Sequence, residues 1–279
     1  MAHPLHTSLA GSPPRPFARD AGGFDAPPRV PGYRFLRAIG RGRRTCAWLV
    51  FDLNRRAHVV LKLEAAPGAS VLHDGAVAAR VQGPHLVRVL GQGHTAEWNY
   101  LAMEHVAGGD LAAQLGQPML PTRAMSLLAQ AAEGLAQLHR LGLVHRDVKP
   151  ANFLLRADGS LVLTDFGLVT QAGSAGATPG TLLGTARYIA PEQLQGAPAA
   201  PSADVYSLGL LLHEMLCGRP AFAGETLTEL LAQQLIAEPA RLPASAAAVQ
   251  PLLDRMLCKD PRGRLADADA VLGLLGPRT

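Results

Sequence analysis

The sequence predicts an α+β fold of two lobes, a small β-rich lobe with one helix followed by a larger, mainly helical lobe. Two observations carry this prediction. Short apolar runs typical of strands dominate residues 33–106, and apolar residues at helical spacing dominate the chain after residue 121. The chain has 279 residues, of which 48% are hydrophobic, and this is enough for two buried cores. Because strands precede helices, we expect a ligand-binding cleft where the lobes meet.

The first residues, 1–30, are rich in Pro, Gly and Ala and show no apolar period, which predicts a disordered leader. Residues 1–60 hold ten Arg against three Asp, a balance of 10 − 3 = +7, whereas the whole chain carries +4. A basic segment can bind nucleic acid, but this one lacks a block of about five basic residues and has few interleaved aromatic residues. We therefore expect a solvated basic surface and no nucleic-acid partner.

The small lobe is predicted to span residues 31–106. Its first three strands are the runs YRFLRAIG, CAWLVFDL and AHVVLKLE, and the polar or glycine-containing stretches between them favour an antiparallel meander. Residues 70–82 predict one helix, although Gly75 weakens the pattern. The runs LVRVLGQG and EWNYLAMEHV predict two further strands.

The large lobe is predicted to span residues 107–279. Leucine and alanine recur at helical spacing over residues 122–141, which predicts a long helix. The pair Asp158-Gly159 between FLLR and SLVLTDF predicts a β-hairpin. Further helical patterns lie near residues 203–217, 226–237, 246–257 and 266–275.

Three cysteines, Cys46, Cys217 and Cys258, are too widely spaced for a C-x-x-C motif. This argues against a disulfide framework or a zinc cluster and favours a reducing compartment. No run approaches the roughly 18 apolar residues that cross a bilayer, and the N-terminus lacks the pattern of a signal peptide. We therefore expect a cytoplasmic protein without a membrane span.

The strongest chemical signal is the run HRDVKPAN at residues 145–152, followed by DFG at residues 165–167. The predicted hairpin lies between these two motifs, so Asn152 and Asp165 stand at its two ends and can reach one pocket. Mg²⁺ prefers hard oxygen ligands such as carboxylates and amide carbonyls. The two residues are therefore candidate metal ligands.

Asp147 and Lys149 of the first run complete the groups that phosphoryl transfer from ATP requires. Asp147 can accept the proton of the attacking hydroxyl, and Lys149 can stabilise the charge that develops on the phosphate. The two motifs at this spacing resemble the catalytic loop and the metal-binding motif of the protein kinase superfamily. The Lys-Pro pair that follows Asp147 resembles the serine/threonine branch.

This resemblance covers residues 33–275, and the chain is identified as a eukaryotic-like (Hanks-type) bacterial serine/threonine protein kinase catalytic domain. It implies the bilobal kinase fold, with ATP and Mg²⁺ as cofactors and Mn²⁺ as a possible replacement. It also implies transfer of the ATP γ-phosphate to Ser or Thr hydroxyls of protein substrates. Similar kinases dimerise through the small lobe, so a homodimer is a further expectation.

The resemblance assigns nucleotide contacts in the small lobe. Lys62, in one strand motif with Val60, matches the lysine that pairs with the α- and β-phosphates. Met103 matches the gatekeeper, and the backbone of Glu104 and Val106 matches the adenine contacts. The remaining assigned residues are Gly40, Gly42 and Ala47 of the glycine-rich loop and Asp110, which matches a ribose contact.

The run GTARYIAPE at residues 184–192 resembles the family's substrate-holding segment. The resemblance implies that Thr185 bonds the catalytic Asp and Lys and that Glu192 pairs with Arg264. It also implies that Asp204 anchors the backbone of the catalytic loop.

The glycine-rich loop departs from the family pattern. Its third glycine is replaced by Thr45, and the valine that roofs the adenine is replaced by Ala47. The change is ordinary loop variation, or Arg43 or Arg44 adds a cationic contact to phosphate.

The helix of the small lobe departs as well. The glutamate that orients Lys62 in the family is missing, and its place falls on Asp74, beside Gly75. Glu64, on the same strand face as Lys62, is a rival partner. Ala78 stands where the family carries a larger residue. These departures leave open a pseudokinase, a nucleotide-binding scaffold with weak or no catalysis. A small-molecule phosphotransferase is a third interpretation, which the GTARYIAPE run argues against.

Arg146 precedes the catalytic Asp, and in similar kinases such an arginine is neutralised by a phosphate on the activation segment. Autophosphorylation is therefore an expectation, and an unmodified segment is its alternative. The candidate sites are Thr170, Ser174, Thr178 and Thr181.

Overall fold

The computed structural model describes residues 28–42, 44–176 and 186–276. An antiparallel sheet with one helix is followed by a lobe in which helices dominate. The predicted α+β fold of two lobes is therefore confirmed.

Five strands form one sheet in the small lobe. They are β1 (Tyr33–Arg41), β2 (Thr45–Asp52), β3 (Ala57–Ala65), β4 (Val89–His94) and β5 (Trp98–Glu104). The spatial order is β1-β2-β3-β5-β4, and every neighbouring pair is antiparallel. Residues alternate between two faces along β3: Leu61 and Leu63 are buried in an outer cluster, whereas Val60 is buried against the large-lobe core. Lys62 therefore shares the inner face with Val60.

One helix, α1 (Ser70–Ala78), packs against β3, β4 and β5. It is shorter than the predicted helix over residues 70–82, because the chain turns at residues 79–80 ahead of Gly83-Pro84. Val71 and Val77 are buried, which fixes the helix to the sheet.

The large lobe is built around a helix that is buried on all sides. Its helices are α2 (Pro121–His139), α3 (Pro191–Leu194), α4 (Pro201–Cys217), α5 (Leu227–Ile236), α6 (Gln250–Met256) and α7 (Ala268–Leu275). Every residue from Ser202 to Leu216 of α4 is buried, as expected of a helix at the centre of a core. The helix ends at Gly218, whose φ of 69° is left-handed.

Four short strands lie at the boundary between the lobes. β6 (Leu143–Val144) pairs with β9 (Thr170–Gln171), and β7 (Phe153–Leu155) pairs with β8 (Leu161–Leu163). The β7–β8 hairpin was predicted from its Asp-Gly turn, and Gly159 there has a φ of 77°.

Three further boundaries differ from the sequence predictions. Residues 86–88 do not join β4, because Leu86 bridges to Leu163 and the Val87 N–H donates to the Leu163 carbonyl in the large lobe. The predicted helix over residues 246–257 begins as a 3-10 turn, and α6 starts only at Gln250, one residue before Pro251. The leader was predicted to reach residue 30, but Val30 is buried on the sheet, and residues 1–27 of the leader lie outside the described residues.

Within the described ranges, no helix is long and apolar enough to cross a membrane.

Candidate active site

The catalytic loop, residues 145–152, places Asp147 in a buried network. Its Oδ2 accepts hydrogen bonds from Lys149 Nζ at 2.7 Å and from Asn152 Nδ2 at 3.0 Å. Asn152 Nδ2 also donates to the Asp147 carbonyl at 2.8 Å. The loop therefore brings together the predicted proton acceptor, the predicted cation and one predicted metal ligand.

Asp204, in the first turn of α4, fixes the backbone of this loop. Its Oδ2 accepts from the His145 N–H at 2.7 Å, and its Oδ1 accepts from the Arg146 N–H at 2.8 Å. His139 Nε2 lies 3.0 Å from Asp204 Oδ2. Arg146 has a φ of 68°, a left-handed conformation that costs a non-glycine residue energy. The two backbone contacts on this buried carboxylate hold the loop in that conformation.

Asn152 and Asp165 lie at the two ends of the β7–β8 hairpin. The Thr164 N–H donates to the Asn152 carbonyl at 2.9 Å, which closes the hairpin beside them. The Asn152 Nδ2 donates to Asp147. The amide oxygen Oδ1 therefore points away from Asp147. The Asp165 side chain is 42% exposed. An amide oxygen and an accessible carboxylate are hard ligands, so this pair fits a divalent cation.

Lys62 connects the two lobes. Its Nζ lies 2.5 Å from Asp74 Oδ2 in α1 and 2.6 Å from Asp165 Oδ1 beside the hairpin. Burial lowers the pKa of Lys62, but the charges of Asp165 and Asp74 outweigh it and raise this pKa above its ordinary value. The ammonium therefore stays charged at neutral pH.

The two carboxylates around Lys62 shift in opposite directions. Burial raises the pKa of Asp74, and Lys62 offsets this only in part. Partial loss of hydration also acts to raise the pKa of Asp165, but the charges of Lys62, His145 and Lys149 together hold that pKa below its usual range. Asp165 is thus the more strongly ionised of the two, as a metal ligand requires.

Glu64, the rival partner for Lys62, faces the start of α1 instead. Its Oε2 accepts from the Ser70 N–H at 2.7 Å and from the Val71 N–H at 3.2 Å. The side chain that contacts Lys62 is Asp74, because α1 lies close enough to β3 for the shorter carboxylate to reach.

A cleft of about 590 Å³ lies between the lobes. Asp74 and every predicted cofactor-binding residue line it: Gly40, Gly42, Ala47, Val60, Lys62, Met103, Glu104, Val106, Asp110, Asn152 and Asp165. Sequence reasoning missed several apolar members, among them Ile39, Leu154 and Phe166. Their positions along the chain could have indicated two of them. Ile39 directly precedes Gly40, and Leu154 lies between two buried residues of β7 and so faces the other side of the strand.

Two predicted nucleotide contacts have partners within the chain. The Glu104 N–H donates to the Arg88 carbonyl at 2.9 Å and is therefore already engaged within the chain. Asp110 Oδ1 accepts from the Ala113 N–H at 3.0 Å and caps a 3-10 turn. Asp110 is therefore held in place at the cleft by its own backbone turn.

The predicted Glu192–Arg264 pair is present and buried. Arg264 donates through Nη1 and Nη2 to the two carboxylate oxygens of Glu192, at 2.5 and 3.0 Å. Bidentate pairing of this kind fixes orientation as well as distance. It ties α3 to the chain that precedes α7.

Some predicted residues lie outside the part of the chain that the structure describes: Arg43, Thr178, Thr181 and Thr185. Of the other candidate phosphorylation sites, Thr170 begins β9, and Ser174 joins the chain to Ala199 through its carbonyl.

The geometry defines a class of protein. A lysine that bridges two carboxylates stands beside a cleft of nucleotide size, and an Asp-Lys-Asn network faces it from the other lobe. This is the arrangement of a two-lobed phosphotransferase that positions ATP and a divalent cation. The protein kinase domain model matches residues 33–273, so the chain belongs to the protein kinase family, and the resemblance inferred from the motifs is confirmed.

Curated bacterial proteins are similar to the chain over most of its length. A serine/threonine-protein kinase of Corynebacterium efficiens, drp72, is 35% identical over 86% of this chain and 49% of its own length. PknL of Mycobacterium tuberculosis is 39% identical over 71% of this chain and 51% of its own. PkaA of Streptomyces coelicolor is 38% identical over 77% and 41%. The chain thus spans about half the length of the curated relatives it matches.

Proposed function

We propose that the chain is a serine/threonine protein kinase that transfers the γ-phosphate of ATP to Ser or Thr hydroxyls of protein substrates. The observation that carries the proposal is the Lys62–Asp74–Asp165 chain of contacts beside the Asp147 network. A pseudokinase is expected to lose one of these groups. Membership of the family and the serine/threonine kinase relatives support the same activity.

Asp147 and Lys149 carry the chemistry in this proposal. The Asp147 carboxylate orients the substrate hydroxyl and accepts its proton, and Lys149 stays beside it to stabilise the transferring phosphoryl group. Thr185 is proposed to bond both side chains and hold the substrate segment. Most of the rate enhancement then comes from positioning and electrostatics.

Mg²⁺ is the proposed metal, and Mn²⁺ can replace it, since both prefer oxygen ligands. Asn152 Oδ1 and the Asp165 carboxylate would hold the ion, which when bound neutralises charge on the ATP phosphates. Lys62 would contact the α- and β-phosphates while Asp74 keeps its ammonium in place.

ATP is proposed to fill the cleft with its adenine between apolar residues of the two lobes. Ala47 and Val60 of the small lobe and Leu154 of the large lobe line the cleft and would contact the base. Met103 borders the pocket, and the backbone of Glu104 and Val106 bonds the base. The proposed ribose contact is Asp110, and Gly40 and Gly42 allow the loop to approach the phosphates.

We further propose autophosphorylation of the activation segment at one of Thr170, Ser174, Thr178 and Thr181, with Arg146 as the group that pairs with the phosphate.

The proposed lobe boundary stays between residues 106 and 107. The three free thiols are consistent with a reducing cytoplasm as the location. We propose protein substrates, no nucleic-acid partner, and a homodimer through the small lobe, where Leu36 and Leu53 are exposed. Light scattering of the purified chain tests the dimer.

The test of the activity is transfer of radiolabelled phosphate to a generic basic protein. Replacement of Asp147 by Asn, or of Asp165 by Asn, is expected to lower kcat by about 10²- to 10⁴-fold, because each removes a charge at the reacting phosphate. The matched control is Asp254→Asn, which removes an exposed carboxylate in α6. ATP binding without transfer in the unmodified chain would instead establish the pseudokinase interpretation.

A further inference from the structure

We propose that Glu64 is a positioning residue that draws the start of α1 towards β3, and that this contact lets the short Asp74 reach Lys62. The inference rests on the proposed kinase function, because it concerns the lysine that would hold ATP. Glu64 itself touches no group of the proposed reaction.

The start of α1 depends on Glu64 for its hydrogen bonds. The residue at the N-cap position is Ala69, which offers no side-chain cap, and the first turn has no acidic residue. The first N–H groups of a helix lack partners within the helix, and its N-terminus carries partial positive charge. Glu64 Oε2 accepts from the N–H groups of Ser70 and Val71, and the side chain is only 4% exposed. A carboxylate from the preceding strand thus replaces the missing cap.

The loop between β3 and α1 is shaped around this carboxylate. A Cβ at Gly68 would lie 2.3 Å from Glu64 Cδ, so no larger residue fits there while Glu64 keeps its position. Asn99, which is paired with Glu64 across β3 and β5, donates through Nδ2 to the Gly68 carbonyl at 2.5 Å. The loop around Gly68 therefore leaves room for the Glu64 side chain beside the first turn of α1.

Strand β3 consequently holds α1 at two points. Lys62 and Glu64 are two residues apart and share one face of the strand. Glu64 holds the first turn of the helix, and Lys62 contacts Asp74 at its centre. An aspartate is one methylene shorter than a glutamate, a difference of about 1.5 Å in reach. A helix that carries aspartate must therefore lie closer to β3, and the Glu64 contact supplies that approach.

The short length of α1 makes this contact necessary. The helix has nine residues with a glycine at its centre, and isolated helices of this length are marginal in water. Its position must then come from tertiary contacts, and at the first turn these are the buried Val71 side chain and the hydrogen bonds to Glu64.

The experiment measures nucleotide affinity and kinetics in four variants of the full chain: Glu64→Gln, Glu64→Ala, Asp74→Glu, and the double variant of Glu64→Ala with Asp74→Glu. Glu64→Ala is expected to raise the Kd for MgADP and the KM for ATP by about 10-fold, with a smaller change in kcat, since the large-lobe groups are untouched. Glu64→Gln keeps an acceptor oxygen and is expected to raise both by about 2- to 4-fold.

The double variant decides the mechanism. A longer carboxylate should restore the reach that Glu64→Ala removes, so adding Asp74→Glu is expected to recover at least half of the lost affinity. A purely structural role for Glu64 would give no such rescue. Glu97→Ala is the control, because it removes an exposed glutamate of the small lobe beside β5.

Two results would overturn the inference: unchanged MgADP affinity in Glu64→Ala, or a double variant that binds no better than Glu64→Ala alone. If Glu64→Ala does not fold, Glu64→Gln with and without Asp74→Glu provides the same comparison. Binding of MgADP by calorimetry needs no phosphate transfer. The inference can therefore fail while the kinase activity stands, and it can hold if transfer is absent.

Discussion

Each lobe contains a buried aspartate that holds part of the site in place, Asp204 in the large lobe and Asp74 in the small lobe. The two differ in how many hydrogen bonds their carboxylate oxygens accept. Asp204 in the large lobe is 1% exposed, and its two oxygens accept from two backbone N–H groups and face His139. Asp74 in the small lobe is also 1% exposed, yet its Oδ1 has no hydrogen-bond partner among the described residues, and Oδ2 contacts Lys62 alone. The two carboxylates are therefore equally buried, but hydrogen bonds replace the lost hydration more fully at Asp204 than at Asp74.

The surroundings of the two aspartates differ in the same direction. Asp204 lies in a 17-residue helix that is buried all round, whereas Asp74 lies in a helix of nine residues. An open cavity of about 810 Å³ lies behind α1, lined by Gly75, Ala78 and residues of β4. The large lobe thus holds its catalytic loop through the fully hydrogen-bonded Asp204, and the small lobe holds Lys62 through fewer contacts. We infer that changes in activity originate in the small lobe.

The largest expected effect comes from breaking the large-lobe anchor. Asp204→Ala leaves two buried N–H groups and His139 without their partner, so we expect a loss of about 3–5 kcal/mol in the free energy of unfolding. Phosphate transfer should fall with it, since Arg146 then has no support for its left-handed backbone. Urea unfolding measures the first effect, with Asp254→Asn as the control. A variant within about 0.5 kcal/mol of the original chain would show that the loop does not depend on Asp204.

The same contrast explains what the sequence could predict. The motif residues of the large lobe have fixed spacing along the chain, so Asp147, Asn152 and Asp165 could be assigned before the structure was known. The partner of Lys62 could not be decided, because Asp74 and Glu64 are both carboxylates expected close to Lys62. Only the position of α1 separates their roles, and that position depends on tertiary contacts that leave no periodic signal.

Some contacts had no sequence signal at all. His139 ends α2 and reaches Asp204 across 65 positions of sequence, and the Ala268 N–H donates to the other side of its ring. A histidine at the end of a helix is usually a surface residue near the negative end of the helix dipole. Its burial follows from the packing of α2 against α4 and α7.

A pair of glycine-to-alanine changes compares the packing of the two lobes directly. Gly209 lies inside α4, where a Cβ would meet Leu257 Cδ2 at 2.8 Å and Met256 Cβ at 3.0 Å. Gly209→Ala is therefore expected to cost about 1–3 kcal/mol through overpacking. Gly75 lies inside α1, where the Cβ would meet the flexible end of Gln92 at 1.9 Å. Since alanine favours the helix by about 1 kcal/mol, Gly75→Ala should be near neutral.

Removing the Gln92 side chain isolates the helix effect in the small lobe. In a Gln92→Ala background, Gly75→Ala is expected to stabilise the chain by about 0.5–1 kcal/mol, measured as a shift in the unfolding midpoint. Leu101 Cδ1, 3.1 Å from the same Cβ, is the remaining neighbour that must adjust. Destabilisation in this background would mean that α1 is packed as tightly as α4, and the contrast between the lobes would not hold.

The last expected effect concerns Lys259, a charge of the large lobe that is only partly compensated. Its Nζ donates to the Tyr206 hydroxyl and to the Gln234 carbonyl, both at 2.8 Å, and lies 4.4 Å from the centre of the Phe222 ring. Burial lowers the pKa of Lys259 to about 8; Glu238 acts to raise this pKa and Arg264 to lower it. Because the unfolded chain binds this proton more tightly, the unfolded state holds more protons between about pH 8 and 10.5.

Stability should therefore rise with pH in that window through Lys259, and a Lys259→Met variant should lack the rise. From pH 7 to pH 10, the unfolding free energy of the original chain is expected to rise by about 1 kcal/mol relative to that of Lys259→Met. Partial exposure of Lys259 keeps this value small. The other titrating groups are common to both chains and cancel. Burial raises the pKa of Tyr206, which keeps its hydroxyl protonated throughout. A difference in unfolding free energy that does not change with pH would show that the contacts of the Lys259 ammonium fully replace its hydration, as those of Asp204 do. Incomplete replacement would then be confined to the small lobe.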